Sequence, residues 1–372
     1  MTTALRWLTS APSRALLGAY VPARTASWPE GSRLFVVGDE LGWSIDDDRV
    51  RLTAAARRLG YEVAPAAWAR FVRRQAVFHP NHFDALQPRW LESSHRLALS
   101  YFHGRPGTAG YPEFDRAYET LRRNAARVDR VQVTHAEMHG LVIAAGVDPD
   151  RVFRIPIGVD IARFPLGDAS ARTSARRAFG IPGSAFVVGS FLKDGVGMAD
   201  GLEPKLVKGP DTLIATLERL HRSIPDLFVL LTGLARGFVR RELVRLGIPH
   251  RHAYLGSRDE LAAAYHALDV QLVASRQEGG PKAVLESMAT GVPLVTTRVG
   301  QASELVVDGE NGLLVDVDNV EALVAAVSRV HDDSALHATL RPAGRRTAEA
   351  HADERLDSRW AELLDGFVRR AH

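Results

Sequence analysis

Cysteine is absent from the 372 residues. That excludes a disulfide framework, a cysteine nucleophile, a thiolate zinc site and an iron–sulfur cluster, and it leaves a reducing cytoplasm as the expected location. Long hydrophobic runs are absent too. Arg6 and Arg14 interrupt the first twenty residues, and Leu227 to Leu231 is typical of the apolar runs elsewhere, far short of the ~18 residues a spanning helix needs. A signal peptide and a membrane span are therefore not expected. The formal charge is only +3, with arginines interleaved among acids, which disfavours dedicated nucleic-acid binding. Lysine is scarce: only Lys193, Lys205, Lys208 and Lys282 stand among 47 basic residues. All four fall within one 90-residue window, and because lysine is a compact point charge that arginine does not always replace, the cluster marks a candidate anion site.

With 46% hydrophobic residues the chain has ample core for two or three domains. Short apolar runs alternate with helical stretches. Arg33 to Val37 leads to a helix over Asp46 to Leu59 with Val50, Leu52, Ala54 and Ala55 inward. Leu97 to Phe102, Arg130 to Val133 and Val152 to Ile155 continue the series, with helices from about Glu113 and Ala136. A second series runs through Ala185 to Val188, Leu227 to Leu231, Ala253 to Leu255, Val270 to Val273, Leu294 to Thr296 and Leu313 to Val315. Such alternation predicts βα units and parallel sheets. Between the series, Ile155 to Pro165 is rich in Pro and Gly without periodicity and reads as a linker. The expectation is an α/β protein of two doubly wound, Rossmann-like halves: residues 1–160, joined by a terminal helix within 351–372, and residues 161–350. Ligands of such folds bind at the carboxyl ends of the strands, here in a cleft between the halves.

The most informative stretch is Ser275-Arg-Gln-Glu278-Gly279-Gly280-Pro281-Lys282, continuing through Glu286 to Gly291. It is a loop feeding a helix N-terminus, with Pro281 at the start and Gly291 as the cap. Backbone N–H groups, the helix dipole and Lys282 suit a phosphate or diphosphate. Glu278 and Glu286 lie on the order of 12 Å apart along a helical path, too far to share one atom. Carboxylates accept paired hydrogen bonds from vicinal hydroxyls, so a sugar at one end and a ribose at the other, joined by diphosphate, fits the pair. The plain alternative is a salt-bridged Glu286 and a capping Glu278.

These residues resemble the family-4 retaining glycosyltransferases of GT-B fold, whose signature is two glutamates separated by seven residues. The linker Ile155-Pro-Ile-Gly-Val-Asp160 with Phe164, the segment Lys208-Gly-Pro-Asp-Thr-Leu-Ile, and Asp308-Gly-Glu-Asn-Gly-Leu-Leu-Val resemble further family motifs. The likeness covers residues 150 to 330 and is much weaker before residue 95. It implies that Glu278 contacts the donor sugar, Glu286 the ribose hydroxyls, and Gly279, Gly280, Pro281 and Lys282 the sugar and phosphates. Lys208 answers to the donor-side lysine. Where the family has Gly-Arg after the first donor-domain strand, this chain has Gly189-Ser190 and then Lys193, a candidate replacement for the arginine, followed by an insert over 194–207. His103, closing a strand before Gly104, resembles the acceptor-domain histidine. Gly38, Asp39 and Gly42 occupy the place of the glycine-rich acceptor-side loop.

The implied activity is retaining transfer of a sugar from a nucleotide-diphosphate donor to an unidentified acceptor hydroxyl, by front-face displacement with the leaving diphosphate taking the proton. Alternatives are a non-catalytic nucleotide-sugar binding subunit or another GT-B enzyme such as an epimerase or phosphorylase. No cofactor is expected. Asp316 and Asp318 mimic the D-x-D metal motif of another fold, but Asp318 reads as a helix cap before Val320 to Val330, and Lys193 with Lys208 supplies the charge a metal would bring. His135 with His139, and His79 with His82, read as solvated helix histidines. Asp46, Asp47 and Asp48 read as a cap. Trp68, Phe71, Val72 and Gln75 with Arg70, Arg73 and Arg74 read as a basic amphipathic helix, either an ordinary acceptor-domain helix with a solvated face or one compatible with peripheral contact at the inner membrane face. Asp353 to Val368 reads as a docked terminal helix.

Overall fold

The computed structural model describes residues 20–38, 44–197 and 199–370. The chain forms two compact units, Met1–Ile155 with Leu356–His372, and Pro156–Arg355. In the first, β1 (Leu34–Val36), β2 (Val63–Ala64), β3 (Ala76–His79), β4 (Arg96–Ser100), β5 (Arg130–Val133) and β6 (Val152–Arg154) build one parallel sheet in the order β2-β1-β3-β4-β5-β6. In the second, β7 (Phe186–Ser190), β8 (Leu227–Thr232), β9 (His250–Ala253), β10 (Val270–Val273), β11 (Leu294–Thr297) and β12 (Leu313–Val315) form a parallel sheet ordered β12-β11-β10-β7-β8-β9. Central strands covered on both faces must be apolar throughout. That is why β7 opens on Phe-Val-Val and β8 reads Leu-Phe-Val-Leu-Leu, with Val187, Val229 and Leu230 fully buried, while β10 sets the buried Gln271 between the buried Val270 and Leu272.

The last helix closes the first unit. It is shorter than the sequence suggests: a 3₁₀ turn over Asp353–Leu356 precedes the α-helix Asp357–Leu364, and Gly366 breaks the chain with φ 61°. Leu363, Leu364, Phe367 and Val368 nevertheless pack with Leu34, Val36 and Phe78. Burying one such side chain contributes about 1.5–3 kcal/mol, so this element is part of the first core.

Several expected elements differ. The helix after β1, Ser44–Arg58, buries Leu52, Ala55 and Ala56, whereas Val50 is 55% exposed. Two residues advance a helix by about 200°, which sets Val50 opposite Leu52. Asp46 and Asp47 lie inside its first turn, pairing with Arg49 and Arg51 at 3.2 and 3.0 Å, and do not cap it. Strand β9 lies three residues before Ala253 to Leu255, because an edge strand of sequence His-Arg-His-Ala carries no apolar signal.

The amphipathic helix over 68–75 does not form. A single 3₁₀ turn spans Ala66–Arg70, Arg74 has φ 51°, and the next residues enter β3 between β1 and β4. Gln75 is buried, accepting from the Arg33 N–H at 2.9 Å and donating to the Pro29 carbonyl at 3.1 Å, and Trp68 stacks on Trp28. The pattern behind the peripheral membrane expectation is therefore absent. Among the described residues, no helix is long and apolar enough to cross a membrane.

Of the four histidines expected in solvent, His79, His82 and His135 are inside, and His139 is half-buried on the helix Ala136–Ala144. His135 precedes the helix Ala136–Ala144 and bonds Thr134 at 2.9 Å, while His79, His82 and His95 are all buried. Burial lowers the pKa of His79, His82 and His95 below 6.5, most strongly at His82. The unfolded chain therefore takes up protons first, and stability present above pH 6.5 is lost as pH falls below that value. Thermal midpoints should drop steadily from pH 7.5 to 5, and less steeply in His82→Leu. An equal slope in that variant would contradict the assignment.

Candidate donor site in the second unit

Strand order reverses at β7: β8 lies on one side of it and β10 on the other. Open α/β sheets bind ligands at the carboxyl ends of the strands beside such a switch. Ser190 ends β7 and is buried. Behind it lies Arg236, also buried, which donates to the Ser190 carbonyl, to Ser190 Oγ at 3.1 Å and to the Thr232 carbonyl at 3.0 Å. Its charge is matched by Asp194 at 2.9 Å, a carboxylate whose pKa is raised by burial. Lys193 is half-buried, and that burial lowers its pKa.

From β10 the chain enters Ser275, whose Oγ donates to Glu278 Oε1 at 2.9 Å, while Lys208 Nζ donates to Glu278 Oε2 at 2.5 Å. Glu278 is 8% exposed, so the pair is held largely away from water. Lys208 closes the 3₁₀ turn Leu206–Lys208, which the site loop pins: the Arg276 and Gln277 N–H groups both donate to the Val207 carbonyl. The Arg276 guanidinium also takes Asp211 in a bidentate grip at 2.7 Å. Gly209 follows with φ 62°, and a Cβ there would lie 1.9 Å from the Ala274 carbonyl oxygen. Only glycine lets the Lys208 turn approach β10 this closely.

The helix Lys282–Thr290 starts after Pro281 and ends at Gly291, with φ 75°. Every residue of it except Lys282 is buried, so its axis is fixed by packing on all sides. Gln301 anchors the entry: its N–H donates to the Gly279 carbonyl and its side chain exchanges two hydrogen bonds with the backbone of Ile157. A side chain at Gly280 would strike Ile157 and Gln301. On the second turn, Glu286 accepts from Arg258 at 2.7 Å and from the Tyr265 hydroxyl at 2.9 Å. Glu278 is not a helix cap; Glu286 is salt-bridged, and each of its oxygens keeps acceptor capacity.

Ser190, Lys193, Lys208, Glu278, Gly279, Gly280, Pro281, Lys282 and Glu286 thus all belong to the second unit, at β7, β10 and the helix after β10. His103 belongs to the first unit. It is half-buried after β4, 5.4 Å from the His82 ring and about 6 Å from Phe83 and Phe114. Gly38 follows β1, where a Cβ would lie 2.9 Å from the Arg49 side chain. Asp39 and Gly42 lie outside the described residues. Asp318 does not cap the helix Val320–Asp332. Asn319 does, with its side chain accepting from the Ala322 N–H, while Asp318, at φ 62°, bonds Arg276 and Thr212. Asp316 pairs with Arg298 at 3.2 Å.

Arg236, Arg258, Tyr265 and Gln301 were not apparent from the sequence. None sits in a recognisable motif, and the local signal that could have led to Arg258, a Ser257 to Glu260 capping pattern, marks only where its helix begins.

Residues 196–333 match the family described as Glycosyl transferases group 1. A D-inositol 3-phosphate glycosyltransferase of Corynebacterium urealyticum is 32% identical over 262 residues, 67% of this chain and 59% of that protein. A lipopolysaccharide core biosynthesis mannosyltransferase of Rhizobium meliloti is 31% identical over 186 residues, 47% of this chain and 49% of that one. The chain spans only part of the curated relatives it matches, from 43% to 59% of the length of three of them. HepE of Anabaena, in complex with UDP and glucose, shares the fold with a TM-score of 0.72 and 18% identity over 90% of this chain and 100% of that chain. Sucrose-phosphate synthase of Thermosynechococcus elongatus does so with a TM-score of 0.69, 18% identity and coverage of 90% and 98%. The two parallel six-stranded sheets are those of the GT-B fold, and the match to group 1 glycosyl transferases falls within the second unit.

Proposed function

We propose that the chain transfers a sugar from a nucleotide-diphosphate donor to an acceptor hydroxyl with retention at the anomeric carbon. The observation that carries this is the Lys208–Glu278 pair beside the start of the Lys282–Thr290 helix, at the switch point of a parallel sheet. Glu278 would accept hydroxyls of the donor sugar and Glu286 those of the ribose. The diphosphate would lie against the helix N-terminus, where backbone dipoles favour negative charge. As the bond from the anomeric carbon to the diphosphate oxygen breaks, negative charge grows on that oxygen. Lys208 has three N–H donors and spends one on Glu278, so two remain for the leaving group, and Lys193 adds a second cation. The acceptor oxygen bonds to the same face of the anomeric carbon, and its proton passes to the departing diphosphate. His103 is the candidate to contact donor sugar or acceptor from the first unit.

Nucleotides and nucleotide sugars should raise the thermal midpoint by mass action, and a screen of UDP, GDP, ADP and their sugars tests the reading. The UDP bound to HepE and the inositol phosphate in the relatives' name make UDP-sugars and a phosphorylated cyclitol the first pair to assay. No stabilisation by any of these nucleotides would contradict it.

We also propose that transfer needs no metal. The carboxylates of the D-x-D look-alike are engaged by arginines, Asp316 by Arg298 and Asp318 by Arg276, which supports this reading. Activity should persist in excess EDTA, and Asp316→Asn should turn over near the wild-type rate. Loss on chelation, restored by Mn²⁺, would overturn the proposal.

A further inference from the structure

Glu286 is gripped from two sides before any ligand arrives. Arg258 donates to one carboxylate oxygen at 2.7 Å and the Tyr265 hydroxyl to the other at 2.9 Å. Tyr265 is fully buried, and its ring meets the edges of Phe191 at 4.8 Å and Phe164 at 6.0 Å. Phe191 directly follows Ser190, so the ring that aims the hydroxyl packs against the loop after β7. Arg258 lies over the Phe164 ring at 5.6 Å. Its backbone is fixed by Ser257, which caps the helix Arg258–Tyr265 through the Glu260 N–H, and by Glu260, which reaches back to the Gly256 N–H.

We infer that Arg258 and Tyr265 are positioning residues that lock the Glu286 carboxylate in one plane, with one acceptor direction left on each oxygen. Two parallel acceptors on a fixed carboxylate match two adjacent hydroxyls, so this grip sets the selectivity of the site for a vicinal diol on the nucleotide. A carboxylate at liberty to rotate would still bind one hydroxyl and would lose the preference for two. Each donor occupies one lone pair of its oxygen, Arg258 with an N–H and Tyr265 with its O–H. Removing either leaves a nearly buried carboxylate oxygen unpaired and able to turn.

The inference rests on the donor reading above, and the two fail differently. Titration calorimetry with UDP, GDP and ADP, and then with the 2′-deoxy form of the tightest binder, would be run on wild type, Tyr265→Phe and Arg258→Gln, with thermal midpoints confirming that each is folded. Wild type should prefer the ribonucleotide by about tenfold or more, the scale of one hydrogen bond to a charged group. In each variant that ratio should shrink to within about threefold, through loss of ribonucleotide affinity while the 2′-deoxy form changes little. A merely structural role would weaken both ligands by the same factor and leave the ratio intact, which would overturn the inference while the donor reading stood. Failure of wild type to bind all three nucleotides would remove the donor reading and the inference with it.

Discussion

Lys208→Ala should lower kcat by about 10² to 10³, the scale seen when a preorganised donor to a developing anion is removed. The charge it meets forms only as the diphosphate leaves, so the loss should appear mainly in kcat, with donor affinity changing far less. The same substitution strips Glu278 of its cation, but Ser275 Oγ still holds the other carboxylate oxygen, and the site loop keeps its backbone bonds to Val207. The variant should therefore fold and bind donor. Steady-state rates combined with calorimetry separate the two effects. A kcat within threefold of wild type would remove Lys208 from the leaving-group role.

The second large effect concerns stability. Arg236 and Asp194 form an ion pair with side-chain exposures of 0% and 2%. Breaking a buried pair from one side leaves an uncompensated charge, which costs about 3–5 kcal/mol. Arg236→Met should therefore lower the melting temperature of the second unit by on the order of 10 °C. Arg236→Met combined with Asp194→Leu removes both charges and should recover a good part of that loss, a coupling that a double-mutant cycle reads directly. Additive losses would show that the arginine stabilises through its bonds to the Ser190 and Thr232 carbonyls alone.

The contrast between these two residues shows what the sequence could reveal. Lys208 precedes a glycine and a helix-starting proline, and it is one of four lysines in an arginine-rich chain, so local chemistry singles it out. Arg236 is one arginine among many, and its meaning comes from Asp194, more than forty positions away. The parallel sheets were legible because doubly covered strands are continuous apolar runs, as in Leu227–Thr232. Strands β2, β3 and β9 were not: β2 has two residues, β9 is a polar edge strand, His250–Ala253, and the central β3 has only four residues, Ala76–His79, directly after the basic 68–75 stretch. Residues 68–75 failed for a different reason. Their apolar and basic alternation satisfies a helical period, yet Gln75 is pulled to the head of β3 by bonds to Arg33 and Pro29, contacts no local pattern encodes. His79 and His82 misled in the same way: polar by type, they are buried beneath Trp90 and Tyr101.

Whether the site catalyses retaining transfer is tested most directly by following an α-linked nucleotide sugar by proton NMR without acceptor, where slow hydrolysis reports the face of attack. The nucleotide is the one that most stabilises the protein, and Lys208→Ala is run beside wild type. Sugar should be released first as the α-anomer, and much more slowly by the variant. Initial release of the β-anomer, or equal release by the variant, would contradict the account.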